Sequence, residues 1–150
     1  MVAMKYQLFY YPGNANLAPH ILLEEAGCDY ELVLVDRATA AQKDPHYLRL
    51  NPNGRIPTLV QGDLVLFESA AICMHITDHH PAARLIPELL TLERSHFYKW
   101  MVFLTNTVQP EYMAFRYPEA RTVDPAHAEG VKHAAAETTA ARFCSAGAIA

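Results

Sequence analysis

An acidic residue and a hydroxyl residue stand together where an apolar run changes from strand to helix character. Glu68 and Ser69 follow "LVLF" and open "ESAAICMHI", where they suit the first positions of a helix. An ionised Glu68 can only accept hydrogen bonds, so it can meet an ammonium group, while the Ser69 hydroxyl and the first helical amides can donate to a carboxylate. The pair therefore favours a binding site for a small charged molecule. A plain helix N-terminus is the alternative, because Glu-Ser is common there.

A proline stands immediately before an apolar run in "NPNGRIPTLV", residues 51–60. Pro57 lacks an amide donor and has a fixed φ, so it belongs at the start, edge or bulge of a strand. An X-Pro bond is also the common place for a cis peptide. Arg55, two residues earlier, could reach a carboxylate or could be a solvated surface residue. These residues alone do not decide whether the bond before Pro57 is cis or whether Arg55 binds a carboxylate.

The first elements alternate between strand and helix patterns. The aromatic run at 5–11 ends in a Pro-Gly pair, which indicates a strand followed by a turn. From Leu17 the apolar spacing becomes helical, with Asn16 as the expected N-cap. Residues 30–36 then predict a second strand, which runs parallel to the first because a helix connects the two.

The elements that follow predict an antiparallel half of the sheet. After a polar stretch at 37–46, "IPTLVQGDLVLFES" predicts two strands around turn residues 61–63. The helix that opens at Glu68 is closed by Pro81. The order of elements is therefore β-α-β followed by β-β-α.

Beyond a proline-bracketed linker at 81–87, the strand patterns vanish. Segment 88–109 repeats apolar positions at helical spacing, which predicts one long amphipathic helix ended by Pro110. Segment 126–144 is Ala-rich and weakly helical. The aromatic residues of this half are expected mainly in its core, with a pocket for apolar compounds as the alternative: Tyr98, Trp100, Phe103, Tyr112, Phe115 and Tyr117.

The composition disfavours several classes of protein. The 150 residues are 51% hydrophobic and 19% charged, which is typical of a folded chain with a sizeable core. The net charge is −4 and the basic residues are scattered, so the chain has no positive electrostatic field that would attract nucleic acid. No apolar run approaches the ~20 residues of a membrane helix, and no signal peptide is evident, so we expect a cytoplasmic protein.

Cysteine and histidine spacing predicts no bound metal. The three cysteines form no C-x-x-C pair, so they are expected to be free thiols. His75 and His79 have the i, i+4 spacing of a metal-binding pair, and His80 follows them. No third ligand stands at motif spacing, so we interpret this group as an exposed helix end.

Four segments together resemble the cytosolic glutathione transferases, above all bacterial members with a "PG-x-x-S-LAPH" opening. They are "YYPGNANLAPHILLEEAG", "NPNGRIPTL", "LFESAAICMHI" and the proline linker with the helix after it. The resemblance covers residues 5–80 and, more weakly, 85 to about 121. It implies an α/β thioredoxin-like domain of βαβ-ββα order at 4–81, which holds glutathione. It also implies an all-α domain at 88–150, which offers a pocket for the second substrate.

The resemblance also implies which residues bind glutathione. In the family, the bond that matches Ile56-Pro57 is cis, and it turns the backbone of Ile56 outward to pair with the cysteinyl backbone of glutathione. With glutathione as the ligand, Glu68 can meet the γ-glutamyl ammonium, and Ser69 with the first amides of its helix can donate to the γ-glutamyl carboxylate. Arg55 is a further candidate partner for a carboxylate.

The loop "YPGNAN" is expected to activate the thiol, because a helix N-terminus lowers the pKa of a nearby thiol. The family adds a hydroxyl or thiol there, but this chain has Ala15 at the cysteine position and Asn16 at the following serine position. That departure argues against mixed-disulfide chemistry with glutathione. Tyr10 is our first candidate for the donor to sulfur, and the amides of Asn16 and Asn14 are the alternatives. Backbone amides alone are a further possibility.

We therefore predict a glutathione transferase in which bound thiolate attacks a small electrophile. Glutathione is the co-substrate, no other cofactor or metal is expected, and the resemblance implies a cytoplasmic homodimer that acts in detoxification. One alternative is glutathione-dependent reduction or isomerisation at the same site, and another is a non-catalytic binding or regulatory relative.

The end of the sequence suggests an incomplete helical domain. The segment "ARFCSAGAIA" lacks the charge pattern of a last helix, and the Ser/Thr-x-x-Asp cap of a buried helix found in relatives is missing. We expect a truncated or frame-shifted chain, with a naturally short form as the alternative, and we expect it to keep glutathione affinity but to have weak or no transferase activity. Exposed apolar surface would then favour dimerisation or aggregation.

Overall fold

A computed structural model describes residues 5–147 and shows two compact units, which divide between Glu88 and Leu89. The first unit contains a four-stranded sheet and the second is helical. Residue 4, where the predicted first domain begins, and residues 148–150, where the predicted second domain ends, lie outside the described residues. None of the described helices is long and apolar enough to cross a membrane.

The sheet of the first unit is mixed, with strand order β2-β1-β3-β4. β1 pairs in parallel with β2, and the pairs β1–β3 and β3–β4 are antiparallel. The parallel pair is joined through a helix and the last pair through a two-residue turn, so the predicted thioredoxin-like βαβ-ββα order is confirmed. The strands are β1 (Tyr6–Tyr10), β2 (Tyr30–Leu34), β3 (Thr58–Gln61) and β4 (Leu64–Phe67).

Three α-helices belong to this unit: α1 (Leu17–Glu25), α2 (Pro45–Leu50) and α3 (Ser69–His79). Helix α2 and a 3₁₀ turn before it occupy much of the segment 37–46 that was predicted only as a polar stretch, so that prediction is incomplete. With six residues α2 is too short to show a helical period. The pair Asp44-Pro45 nevertheless marks its start, since Asp is a favoured N-cap and Pro a favoured first helical residue. In the structure Asp44 accepts a hydrogen bond from the backbone N–H of His46 at 2.7 Å.

One face of the sheet packs against α1 and α3 to form the core. Alternation along β1 buries Tyr6 and Leu8 on this face, while Phe9 on the opposite face contacts Tyr47 of α2. The other buried side chains of the core come from α1, β3 and α3: Leu23, Leu59, Ile72 and Ile76. Helices α1 and α3 therefore cover one face of the sheet.

The three cysteines are free thiols, as the sequence predicts, but their surroundings differ. Burial raises the pKa of the Cys73 thiol to about 11, and Cys144 is exposed. Near neutral pH Cys73 therefore stays in the thiol form, whereas the thiolate is the reactive form. We expect Ellman's reagent to modify Cys144 at once and Cys73 only when the protein unfolds. Modification of all three thiols at one rate in the native protein would contradict this assignment.

The second unit contains α4 (Leu92–Phe103), a π-helical segment (Leu104–Val108), α5 (Gln109–Arg116) and α6 (Ala128–Gly147). The predicted helix over 88–109 is therefore wrong at both ends. It begins only at Leu92, because the Thr91 hydroxyl accepts from the Arg94 amide at 3.1 Å and caps the helix there. Pro110 does not end it, because the π-helical segment places this proline in the first turn of α5.

The aromatic residues of this unit are less buried than predicted. Trp100 and Phe103 are half-buried and meet edge to face, with ring centroids 5.6 Å apart. Tyr98, Tyr112 and Phe115 are 43%, 53% and 37% exposed, so the prediction of a core position is wrong for them.

Candidate functional site

Three segments that carry the predicted site residues meet at one end of the sheet. Thr58, the first residue of β3, pairs with Phe9 on one side and with Phe67 on the other. The loop that follows β1, the segment that precedes β3 and the start of α3 after β4 therefore leave the sheet together. Strand register thus brings together residues that lie up to about sixty positions apart in sequence.

A hydrogen bond joins the start of α3 to the loop before α1. The Ser69 hydroxyl donates to the backbone carbonyl of Ala15 at 2.9 Å. Because this bond uses the hydroxyl proton, the donors left at this end of α3 are the unpaired backbone amides of its first turn. These amides and the helix dipole favour an anion at this position.

Glu68 stands at the junction of β4 and α3 in an unusual backbone conformation. Its φ of 72° and ψ of 112° lie outside the regions that non-glycine residues favour, at a cost of roughly 1–3 kcal/mol. The side chain is exposed, and its carboxylate makes no hydrogen bond or ion pair with any residue between 5 and 147. Glu68 therefore presents a free anionic acceptor beside the amides of α3.

Asn16 does not cap α1 through its side chain, so that prediction is wrong. Its backbone angles of −72° and −11° are already helical, whereas an N-cap residue is usually extended. The residue is only 5% exposed, and its side-chain Oδ1 accepts a hydrogen bond from the backbone N–H of Tyr11 at 3.2 Å. Its Nδ2 has no partner among the described residues and remains a donor.

Asn14 is held by a residue that the sequence interpretation missed. The Arg37 guanidinium donates to Asn14 Oδ1 at 3.3 Å, across a separation of 23 residues. The Asn14 amide nitrogen lies 3.4 Å from the carbonyl of Pro12, so its donor capacity is partly used within the loop. An isolated arginine after a predicted strand gave no signal of this contact, which depends on β1 and β2 being parallel neighbours.

Tyr10 ends β1 beside this loop. Alternation places it on the same sheet face as the buried Tyr6 and Leu8, but it is only half-buried. Its hydroxyl makes no hydrogen bond within the described part of the chain. The hydroxyl can therefore donate to a ligand atom.

The segment before β3 contains the cis peptide bond Ile56-Pro57 that the resemblance implied. Pro57 is buried, Ile56 is half-buried and the side chain of Arg55 is exposed. The carbonyl of Arg55 is held by two donors, the Tyr47 hydroxyl at 2.6 Å and the Asn51 side-chain amide at 2.9 Å.

A buried polar cluster of Tyr47, Asn51 and Thr58 supports this segment, and its residues are 6%, 2% and 0% exposed. Because the Tyr47 proton goes to the Arg55 carbonyl, Thr58 Oγ1 donates to Tyr47 Oη at 2.9 Å and accepts from Asn51 Nδ2 at 3.3 Å. Burial raises the pKa of Tyr47, so the phenol stays protonated and remains a donor. The sequence interpretation missed this cluster, because helix α2, which carries Tyr47, was not predicted.

The same segment is closely packed at Gly54, whose φ is +58°. A Cβ added there would lie 2.9 Å from the backbone oxygen of Gln42 and 3.1 Å from Lys43 Nζ. Glycine is therefore required both by the conformation and by the close approach of the segment before α2.

The three histidines at the end of α3 bind other groups of the protein. His75 Nε2 pairs with Gln61 Oε1 at 3.1 Å, and His80 Nε2 pairs with the Tyr6 hydroxyl at 3.2 Å. His79 Nδ1 contacts the carbonyl of His75 at 2.8 Å. Burial, aided by the neighbouring His79, lowers the pKa of His75. Between residues 5 and 147 no group of three or more ligating side chains is placed to hold a metal ion.

Comparison with known proteins relates this chain to a protein family. The N-terminal domain of glutathione S-transferase matches residues 4–78. Glutathione S-transferase GST-4.5 of Xanthomonas campestris is 36% identical over 106 residues, which are 71% of this chain and 51% of that protein. GstA of Escherichia coli is 30% identical over 115 residues, 75% of this chain and 57% of that protein.

Solved structures agree with the sequence comparison. A glutathione S-transferase from Xylella fastidiosa superposes with a TM-score of 0.83 at 34% identity, over 95% of this chain and 69% of that one. A glutathione transferase homologue from Sulfitobacter, solved with bound glutathione, has a TM-score of 0.81 at 30% identity, over 92% and 66% of the two chains. The present chain belongs to the glutathione S-transferase family. It spans about half of the length of the curated relatives that it matches.

Proposed function

We propose that the chain binds glutathione at this end of the sheet and activates its thiol for attack on a small electrophile. The observation that carries the proposal is the hydrogen bond from Ser69 to Ala15, which joins two helix N-termini beside Glu68. The Glu68 carboxylate has no hydrogen-bond or ion-pair partner among residues 5–147. One helix start suits a carboxylate and the other suits a thiolate, while the free carboxylate suits an ammonium. Glutathione carries all three groups.

Each part of glutathione has a proposed partner. Glu68 accepts from the γ-glutamyl ammonium. The first backbone amides of α3, including that of Ser69, bind the γ-glutamyl carboxylate, because the Ser69 hydroxyl donates to Ala15. The backbone of Ile56, fixed in orientation before Pro57, pairs with the cysteinyl backbone. Arg55, whose side chain is exposed, approaches a carboxylate from solvent. The family's glutathione-bound member from Sulfitobacter supports this choice of ligand.

The thiol is proposed to lie at the start of α1, where Tyr10, Asn16 and Asn14 offer donors. Tyr10 is preferred because its hydroxyl has no other partner within residues 5–147. Asn16 follows, since its Oδ1 is fixed and its Nδ2 has no partner in the described part of the chain. Asn14 is third, because its amide already faces Pro12. With Ala15 in place of a cysteine, the loop lacks the sulfur that a mixed disulfide needs, which favours conjugation over reduction.

Calorimetry of the whole chain with reduced glutathione tests binding directly, and we expect saturable binding. Binding without any turnover would leave a non-catalytic relative, and no binding at millimolar glutathione would overturn the proposal. Turnover of a halogenated aromatic, compared with glutathione-dependent reduction of a small disulfide, separates conjugation from reductase chemistry. We expect any turnover to be with the aromatic compound.

Replacing Tyr10 by Phe tests thiol activation. Loss of a hydrogen bond to a charged atom costs roughly 1.5–3 kcal/mol, which corresponds to a rise of about one to two units in the pKa of the bound thiol. We expect Tyr10→Phe to show this rise in thiolate absorbance titrations while glutathione affinity at low pH is unchanged. Tyr30→Phe is the matched control, because its hydroxyl pairs with His20 and Glu24. A wild-type titration in Tyr10→Phe would transfer the role to Asn16 or Asn14.

The wider setting is also proposed from family membership. We infer a cytoplasmic homodimer that acts on small electrophiles in detoxification, with the glutathione-binding domain at 4–81 and the helical domain at 88–150. Neither nucleic acid nor a membrane is proposed as a partner, in keeping with the net charge of −4.

A further inference from the structure

We propose that the buried cluster of Tyr47, Asn51 and Thr58 orients and polarises the backbone amide of Ile56 toward its ligand. These three are positioning residues, because none of them is proposed to touch glutathione. The inference rests on the proposed function only in naming glutathione as the ligand of that amide.

One peptide group joins Arg55 and Ile56. Its carbonyl and its N–H belong to one planar unit, and this bond is trans, so the two groups point in opposite directions. Fixing the carbonyl of Arg55 therefore fixes the direction of the Ile56 N–H. Two buried donors hold that carbonyl, at 2.6 and 2.9 Å, so rotation of the peptide plane would break both bonds.

The N–H of Ile56 is the other end of this peptide group. This N–H makes no hydrogen bond with any residue between 5 and 147. The carbonyl of Arg55, by contrast, accepts two hydrogen bonds. A peptide group whose carbonyl accepts two hydrogen bonds is polarised. Hydrogen bonds accepted at the carbonyl end strengthen the N–H at the other end as a donor. The open donor points away from the buried cluster and is available to an acceptor outside it.

The polar side chains of the cluster also form hydrogen bonds with one another and with the backbone next to them. Thr58 donates to Tyr47 and accepts from Asn51, while Asn51 Oδ1 accepts from the backbone N–H of Asn53 at 3.1 Å. Every polar atom that faces the Arg55 carbonyl is thereby directed by another buried partner. The cluster thus lets α2 and β3 set the direction of an amide that belongs to neither element.

The test uses the whole chain, labelled with ¹⁵N, and the substitution Tyr47→Phe. Loss of one bond to the Arg55 carbonyl is expected to move the Ile56 ¹⁵N resonance upfield by more than 1 ppm in the ligand-free protein. The dissociation constants of reduced glutathione and of S-methylglutathione are expected to rise by the same three- to tenfold factor, because both share the cysteinyl backbone. The pKa of the bound glutathione thiol is expected to stay as in the wild type.

Tyr6→Phe is the matched control, since it also removes a buried tyrosine hydroxyl, one that pairs with His80. It should lower the melting temperature while leaving the Ile56 resonance and both affinities unchanged. Thr58→Val serves if Tyr47→Phe does not fold, because it removes the hydroxyl that directs Tyr47 and should give a smaller change in the same direction.

Two results would overturn the inference: an unmoved Ile56 resonance, or glutathione affinity within twofold of the wild type in a folded Tyr47→Phe protein. A wild-type chain that binds neither glutathione nor S-methylglutathione would instead overturn the proposed function. The resonance of Ile56 in the free protein would still decide whether the cluster polarises this amide.

Discussion

Glu68→Ala should weaken glutathione binding by roughly 10- to 150-fold, the equivalent of about 1.5–3 kcal/mol for a hydrogen bond to a charged group. The γ-glutamyl ammonium would lose its only proposed anionic partner, and no residue of the described chain forms a hydrogen bond or ion pair with the Glu68 carboxylate. Calorimetry at two ionic strengths measures the effect, which should shrink at higher salt because an exposed charge pair is screened.

A second substitution at the same position separates binding from backbone strain. Glu68→Gly removes the same carboxylate but accepts the φ of 72° without a Cβ clash. It should lose the same affinity as Glu68→Ala while having a free energy of unfolding about 1 kcal/mol higher than that variant. Asp63→Asn, in the turn at the other end of the β3–β4 hairpin, is the charge-matched control and should bind glutathione normally. Near-wild-type affinity in Glu68→Ala would remove this residue from the proposed site.

Gly54→Ala should lower the free energy of unfolding by about 2–5 kcal/mol. The left-handed backbone alone costs about 1–2 kcal/mol for a residue with a Cβ, and overpacking adds about 1–3 kcal/mol. The added atom would lie 2.9 Å from a backbone oxygen, which cannot rotate away as a side chain can. Urea denaturation measures the loss.

Gly27→Ala supplies the control for conformation without contact. Its φ of +63° matches that of Gly54, but a Cβ there would meet no atom within 4 Å. We expect a loss of only about 1–2 kcal/mol in this variant. Equal losses in the two variants would show that the close approach to Gln42 relaxes at no cost.

Patterns of period two and local turn signals were sufficient to predict the sheet. The Pro-Gly pair after β1 and the Gly62-Asp63 turn marked strand ends, and the predicted parallel and antiparallel pairings are confirmed. The failures lie where tertiary contacts override local pattern. Asn16 has N-cap chemistry, but its side chain turns back to the amide of Tyr11 because its own backbone is already helical.

The candidate site was predictable only where a residue would touch the ligand. Glu68, Ser69 and the Ile56-Pro57 pair stand in recognisable segments, although their roles stay predictions. The supporting contacts were invisible, because they join separate elements. Arg37 reaches Asn14 only through the parallel pairing of β1 and β2, and Tyr47 reaches Arg55 only through a helix too short to show a period.

The π-helical segment between α4 and α5 has a consequence for insertions and deletions. A π turn contains one residue more than the α-helix it interrupts. Deleting one residue, for example Asn106, would remove the extra residue of the π turn and join α4 and α5 into one regular α-helix, with the side chains of α5 still facing nearly the same way. The same deletion would move Pro110 into a helix interior, where its ring clashes with the preceding turn. The spacing of this stretch is therefore fixed more strictly than its composition.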